Sequence, residues 1–321
     1  MKLFRLTPVL GPPAAHALRI AANQQWIEHT PIDYAAKNIY NKAGNGDTAT
    51  VVFGGVPNLG SDPSVDLAAN AETQGLKFLA SSVRSMRLIG IIVEVTYRLV
   101  ADRSRGISDL ADLRGKRIGT IPGTSAEVFI RRLLETEAGL SWERGDYTTV
   151  AGNACMREPC GSNTLPAMLR DGRVDAFGIW ETAVELGVRA LGDDRAITFK
   201  NASIYREVYS LYSTEAKLRD TRTRARIVEF VRALNQTYDL FRAEGDDVYA
   251  AVSQNIGVDV PVLRSVWADH VWGPGSLGET LIDYLEVEDQ YLAKVDNRAP
   301  FSRADLERFV DNSVYEEAMQ G

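Results

Sequence analysis

The amino-acid sequence predicts an α/β protein of two lobes with a helical C-terminal segment, and three observations carry that expectation. The chain has 321 residues, more than the about 100–200 residues that one hydrophobic core usually organises. Strand-like and helix-like patterns alternate before Ile107 and again after it, as expected of sheets covered by helices. From Arg222 onward the pattern is mainly helical.

The first unit opens with the apolar run LRIAA at 18–22. A helical stretch at 32–40, the β-branched run TVVF at 50–53 and a segment containing 72–79 follow. The strands LIGIIVEV at 88–95 and YRLVA at 97–101 close this unit. In the second unit a strand at 118–121 runs into Gly123-Thr124-Ser125, whose hydroxyls suit the start of a helix over 126–137. A strand at 147–150, a long turn at 152–163, a helix at 165–170 ended by Asp171-Gly172 and a strand at 174–179 complete it. The chain then returns through the strand EVYSLYS. Ile227, Phe230, Val231, Leu234, Tyr238 and Phe241 recur at three- and four-residue spacing, which predicts the buried face of a long helix. Lobe one is expected to hold residues 17–105 and 206–321 and lobe two residues 106–205, joined by two strands near 101–105 and 199–205. The helical tail should pack back on lobe one.

The net charge of −7, with Lys and Arg interspersed among Asp and Glu, argues against a nucleic-acid partner. The longest strongly apolar run, 88–95, is far below the roughly 20 residues that span a bilayer, so no membrane insertion is expected. Residues 1–17 (MKLFRLTPVLGPPAAHA) have an early Lys2 and Arg5, but Pro8, Pro12 and Pro13 break the apolar stretch that a secretory leader needs. The sequence as written therefore reads as cytoplasmic, or as periplasmic or extracellular if a signal has been removed. Cys155 and Cys160 are too few for a disulfide framework, although their spacing permits one local bridge. His16, His29 and His270 have no cysteine partner at metal-ligand spacing, and there is no complete phosphate-binding glycine motif. No metal and no cofactor are expected.

The block ISDLADLRGKRIGTIPGTSAEVFIRRLL at 107–134, followed by LPAMLRDGRVDAFGIWETAVEL at 165–186, strongly resembles the second lobe of a family of substrate-binding proteins. These are the sulfonate, nitrate, taurine and thiamine-pyrimidine receptors with the type II periplasmic-binding-protein fold. Sparser resemblance runs from residue 18 to about 313. Two enzyme families on this fold are also similar. Phe53-Gly54-Gly55 with Pro57 and Leu59 resembles the biphenyl-sulfinate desulfinases, but Trp26-Ile27-Glu28-His29 stands where those carry a nucleophilic cysteine, and Val52 replaces an arginine. Cys160-Gly161-Ser162-Asn163 and Gly178-Ile179-Trp180-Glu181 resemble the hydroxymethylpyrimidine phosphate synthases, without the lysine and histidine of that family.

The resemblance implies a cleft between the lobes and a set of residues lining it. Thr124 and Ser125 would cradle an anion at a helix start, and Ser162 and Asn163 would open the facing helix. Trp26 and Trp180 would supply flat apolar walls, with Gly54 and Gly55 on the same rim. Glu181 would take a ligand amine or hydroxyl. The function expected is binding of a small anionic or aromatic organic molecule by hinge closure, with an ABC permease as partner if the chain is exported. The alternative is a cytosolic enzyme of lyase, decarboxylase or hydrolase-like chemistry. In that case His29 and Glu28 would do acid–base work, Cys160 would be a nucleophile acidified by a helix start, and Glu181 a base. A cytosolic sensor would share the receptor's site.

Overall fold

The structure, a computed structural model, describes residues 17–44, 46–81, 84–275 and 277–320. The leader-like stretch and His16 lie outside the described residues. Among the described residues eleven strands form two sheets. The first six to be placed are β1 (Ala17–Ala22), β2 (Thr48–Phe53), β3 (Leu67–Ala71), β4 (Met86–Val95), β5 (Arg98–Asp102) and β6 (Arg117–Thr120). They are followed by β7 (Thr148–Ala151), β8 (Ala176–Ile179), β9 (Ala196–Phe199), β10 (Glu207–Thr214) and β11 (His270–Trp272).

The first sheet has the order β11-β4-β10-β3-β1-β2 and the second β7-β6-β8-β5-β9. In the first, β1 runs parallel to β2 and β3, while β10 lies antiparallel between β3 and β4. In the second, β6 runs parallel to β7 and β8, and β5 lies antiparallel between β8 and β9. The inner parallel strands are largely buried, as sheets covered by helices require, and every residue of β8 is buried, whereas the edge strands β2 and β7 carry exposed positions. The helix Ser125–Ala138 after β6 is capped by Thr124 and stopped by Gly139, whose φ of +62° a side-chain-bearing residue would adopt only under strain.

The chain changes sheets twice. It leaves β4 at Val95 and enters β5 at Arg98, so the first crossing is Thr96-Tyr97. This corrects the expected crossing near 101–105, because β5 belongs to the second sheet. Residues 88–101 read as nearly continuous apolar sequence, and nothing in their period marks where the chain passes from one core to the other. The second crossing runs through residues 200–206.

The long helix Thr221–Arg242 buries Ile227, Phe230, Val231, Leu234, Tyr238 and Phe241, as their spacing predicts. The tail packs on the first sheet's side: helix Ser313–Met319 against Thr221–Arg242 and β4, Arg303–Phe309 against β4, and Glu279–Val295 against Glu72–Ser81. Among the described residues no helix is long and apolar enough to cross a membrane.

Candidate functional site

Strand β1 ends at Ala22 and its loop turns at once into a short 3-10 turn, Ile27–His29, which buries Ile27, Glu28 and His29. The His29 ring is locked by its neighbours. The Asn23 N–H donates to Nδ1 at 2.9 Å, so the neutral ring carries its proton on Nε2, which lies 2.5 Å from the Tyr209 hydroxyl. Burial holds its pKa well below 6.5.

Trp26 packs 5.1 Å from His29 and 5.2 Å from Trp180, centroid to centroid. Trp26 follows β1 of the first sheet and Trp180 follows β8 of the second, so the two indoles meet between the lobes. Beside them opens a cavity of about 350 Å³, lined also by Ile121, Met156, Arg157 and Ile256. A larger groove of about 470 Å³ lies elsewhere, on helices Thr30–Tyr34 and Asp246–Ile256. Its charged residues Asp33 and Lys37 pair with each other at 2.7 Å, and it holds none of the buried groups described next.

Three buried carboxyl groups lie near this lobe interface: Glu28 feels the charge of Glu181, and Glu207 that of Glu28. Glu28 is 1% exposed and neither of its oxygens has a hydrogen-bond partner. Burial pushes it up to about 8; its own main-chain N–H opposes this and the charge of Glu181 adds to it. Glu207, the first residue of β10, accepts from the Tyr97 hydroxyl at 2.7 Å through Oε1, while Oε2 is buried without a partner. Burial raises Glu207 well above the carboxylate range, the charge of Glu28 raises it further, and the Tyr97 bond opposes. Glu181 is raised by burial, against the pull of Arg98, whose Nε lies 2.6 Å away. Arg98 is shared: Glu185 is 3.3 Å and Asp269 3.5 Å from its guanidinium. The Tyr97 hydroxyl also reaches Ser125 Oγ at 3.0 Å, tying the crossing to the helix start. Trp180 Nε1 and Thr120 Oγ1 are two more buried polar atoms without a partner.

The structure brings Trp26, Glu28, His29, Ser125, Trp180 and Glu181 together and leaves the other expected residues outside. Thr124 serves as a cap: its hydroxyl donates to the Ile121 carbonyl at 2.7 Å and accepts from the Ala126 N–H at 3.3 Å. The Gly123 N–H is taken by Glu127 at 2.7 Å, so these two N–H groups of the expected anion cradle are already used. Gly54 and Gly55 form a turn held from within, where the Gly55 N–H donates to Asn58 Oδ1 and the Val56 N–H to Asn70 Oδ1, both at 2.9 Å. Ser162 and Asn163 are exposed, and the helix they were expected to open begins at Leu165. Cys160 is bonded to Cys155, so the expected thiol nucleophile does not exist in this state; Cys160 lines a separate outer groove with Pro159 and Arg170.

Tyr97, Glu207 and Tyr209 were missed. For Glu207 a signal existed: a charged residue heads the otherwise apolar run EVYSLYS, every position of which through Ser213 proves buried, and a fully buried acid is rare unless something answers it.

Solved structures share this architecture. The periplasmic aliphatic sulphonate binding protein SsuA from Escherichia coli matches with a TM-score of 0.73 at 16% identity, over 93% of this chain and 92% of that one. The desulfurization enzyme DSZB matches at 0.60 and 17%, over 95% and 99%. A Candida albicans gene product with the generic periplasmic binding protein fold matches at 0.62 and 16%, over 92% and 96%. At these identities the likeness shows the fold. No curated protein matches the chain by sequence. The sequence profile described as NMT1/THI5 like covers residues 37–247, well over half of the chain, and the protein belongs to the NMT1/THI5-like family.

Proposed function

We propose that this protein is a substrate-binding protein that closes its two lobes on a small organic molecule beside Trp26 and Trp180. The observation that carries this reading is the meeting of two indoles from different sheets over buried polar groups that have no protein partner. Buried donors and acceptors are almost always satisfied, so a cluster of unsatisfied ones at a lobe interface suits a bound molecule. The lobes are also latched around it: Lys77 Nζ donates to the Gly123 carbonyl at 3.0 Å, and Arg132 pairs with Glu288 at 2.6 Å. Such contacts break and reform in a hinge closure.

Binding is favoured over catalysis by what the site holds. Cys160 is in a disulfide, and both nitrogens of His29 are engaged by Asn23 and Tyr209. An ABC permease is the partner this reading implies if the chain is exported. The test is native mass spectrometry of the purified protein after incubation with a small-molecule extract of its own organism. We expect one unchanged molecule per chain, lost in Trp180→Ala; conversion of a metabolite into a second compound would instead establish an enzyme.

A further inference from the structure

We propose that the cleft selects an organic cation, a protonated amine or amidine, held by Glu28 and Glu207 beside the indoles of Trp26 and Trp180. This rests on reading the cleft as the binding site and names the chemistry that site accepts.

The unpartnered groups are mostly acceptors. Both oxygens of Glu28 and Oε2 of Glu207 are buried without a donor, and neither residue takes part in an ion pair among the described residues. The nearby guanidinium, Arg98, is already divided among Glu181, Glu185 and Asp269. Arg157 lies at the outer cavity and reaches across to the Ile256 carbonyl at 3.4 Å. An anion placed among Glu28, Glu181 and Glu207 would meet three acidic groups, and Arg157, whose guanidinium has no ion pair among the described residues, sits at the outer cavity instead. A cation meets acceptors that lack a donor and two electron-rich ring faces. The unpartnered N–H of Trp180 Nε1 leaves room for one acceptor atom on the ligand.

Acids buried elsewhere in the chain are more often met by donors, although Glu288, paired with Arg132, also keeps Oε1 without a partner. Asp102, 1% exposed, is met by Arg195 and by both the N–H and hydroxyl of Ser104. Asp175 takes three donors from Arg117 alone. Asp289 takes Arg298 and the Phe301 N–H.

The charge of the empty site sets a pH signature. Glu28 faces Glu181 after β8, Glu207 on β10, the hydroxyls of Tyr97 and Tyr209, and beyond Glu181 the Arg98 guanidinium; the adjacent His29 is neutral. It holds its proton near pH 7 in the empty protein. A cation drawn to the pair favours the carboxylate, so binding sends that proton to the buffer and tightens as pH rises from 6 toward 9.

The experiment is calorimetric titration of the full chain with two panels: benzylamine, benzamidine, choline and agmatine against benzenesulfonate, ethanesulfonate and taurine. At least one cation is expected to bind and no sulfonate. Glu28→Gln should weaken that cation by about 100-fold, and Glu207→Gln, a second variant should the first fail to fold, by a similar factor. A sulfonate that binds, with affinity kept or improved in Glu28→Gln, overturns the cation assignment and leaves the receptor reading standing. Failure of every cation in the panel also overturns it, and if the extract yields no retained molecule either, the receptor reading falls with it.

Discussion

The acids of the second sheet's rim and the acids of the cleft are the same chemical group in comparable burial, yet they have been treated oppositely. Asp102 and Asp175 sit 1% and 7% exposed. Burial works against their charge, but Arg195 with Ser104, and Arg117, outweigh it and hold both below the ordinary value. Glu28 and Glu207 are as little exposed; burial raises their carboxyls, and no guanidinium opposes it. A protein able to satisfy its acids at the rim has left two unsatisfied at the lobe interface. Unmet polar groups are destabilising, and the proposed binding role accounts for leaving these two acids unmet.

The comparison can be broken in several places, beginning where the effect is largest. Glu28 moves from 4.5 when exposed to about 8 in the fold. Its folded pKa is the higher one, so its contribution is fully present below about pH 4.5 and is lost as pH rises through 8. Empty protein should therefore lose on the order of 4 kcal/mol from this group between pH 4 and pH 9, and Glu28→Gln should flatten the profile; denaturant titration at both pH values measures it. An unchanged slope would mean that Glu28 is satisfied in solution. At the rim the sign reverses: Asp102→Ala should destabilise by about 2–3 kcal/mol near pH 7, from the loss of the Arg195 and Ser104 bonds, with ligand affinity untouched.

Smaller effects sharpen the picture of the cleft itself. The Cys155–Cys160 bridge holds the loop whose Met156 and Arg157 line the cavity and whose Met156 carbonyl accepts from Thr182. Cys155→Ser with Cys160→Ser should cost about 2 kcal/mol in thermal unfolding and loosen binding. Trp26→Ala should weaken the retained ligand about 30-fold, the size of an interface anchor, with far less effect on stability because Trp26 is only partly buried. Tyr97→Phe removes the hydroxyl that joins Ser125 to Glu207, with an expected loss of about 1 kcal/mol and a further rise in the pKa of Glu207.

Much of this arrangement was legible in the sequence. Periodicity identified helix Thr221–Arg242 and its buried face, and the hydroxyl-rich turn before Ala126 marked the start of helix Ser125–Ala138. The loop positions of Trp26, Glu28, His29, Trp180 and Glu181 followed from the strands that precede them. What escaped had physical reasons. β3 is Leu-Ala-Ala-Asn-Ala, without a β-branched or aromatic residue to signal a strand. β11 is three residues long. Tyr97 opens the expected strand 97–101, and nothing in that apolar run marks it as the point where the chain passes between the sheets. The hydroxyl-bearing helix starts suggested an anion site, but local pattern cannot reveal that Glu127 and Thr124 use two of those N–H groups themselves, or that Glu207 arrives beside Ser125 from more than 80 positions away in sequence.

The most direct measurement is a proton count. Calorimetry of the tightest cation of the panel at pH 7, repeated in buffers of different ionisation enthalpy, reports how many protons leave the protein on binding. The wild-type protein is expected to release about one proton more than Glu28→Gln. Binding with no proton released, or the same release in both proteins, would contradict the assignment of Glu28 as the open acid of the cleft.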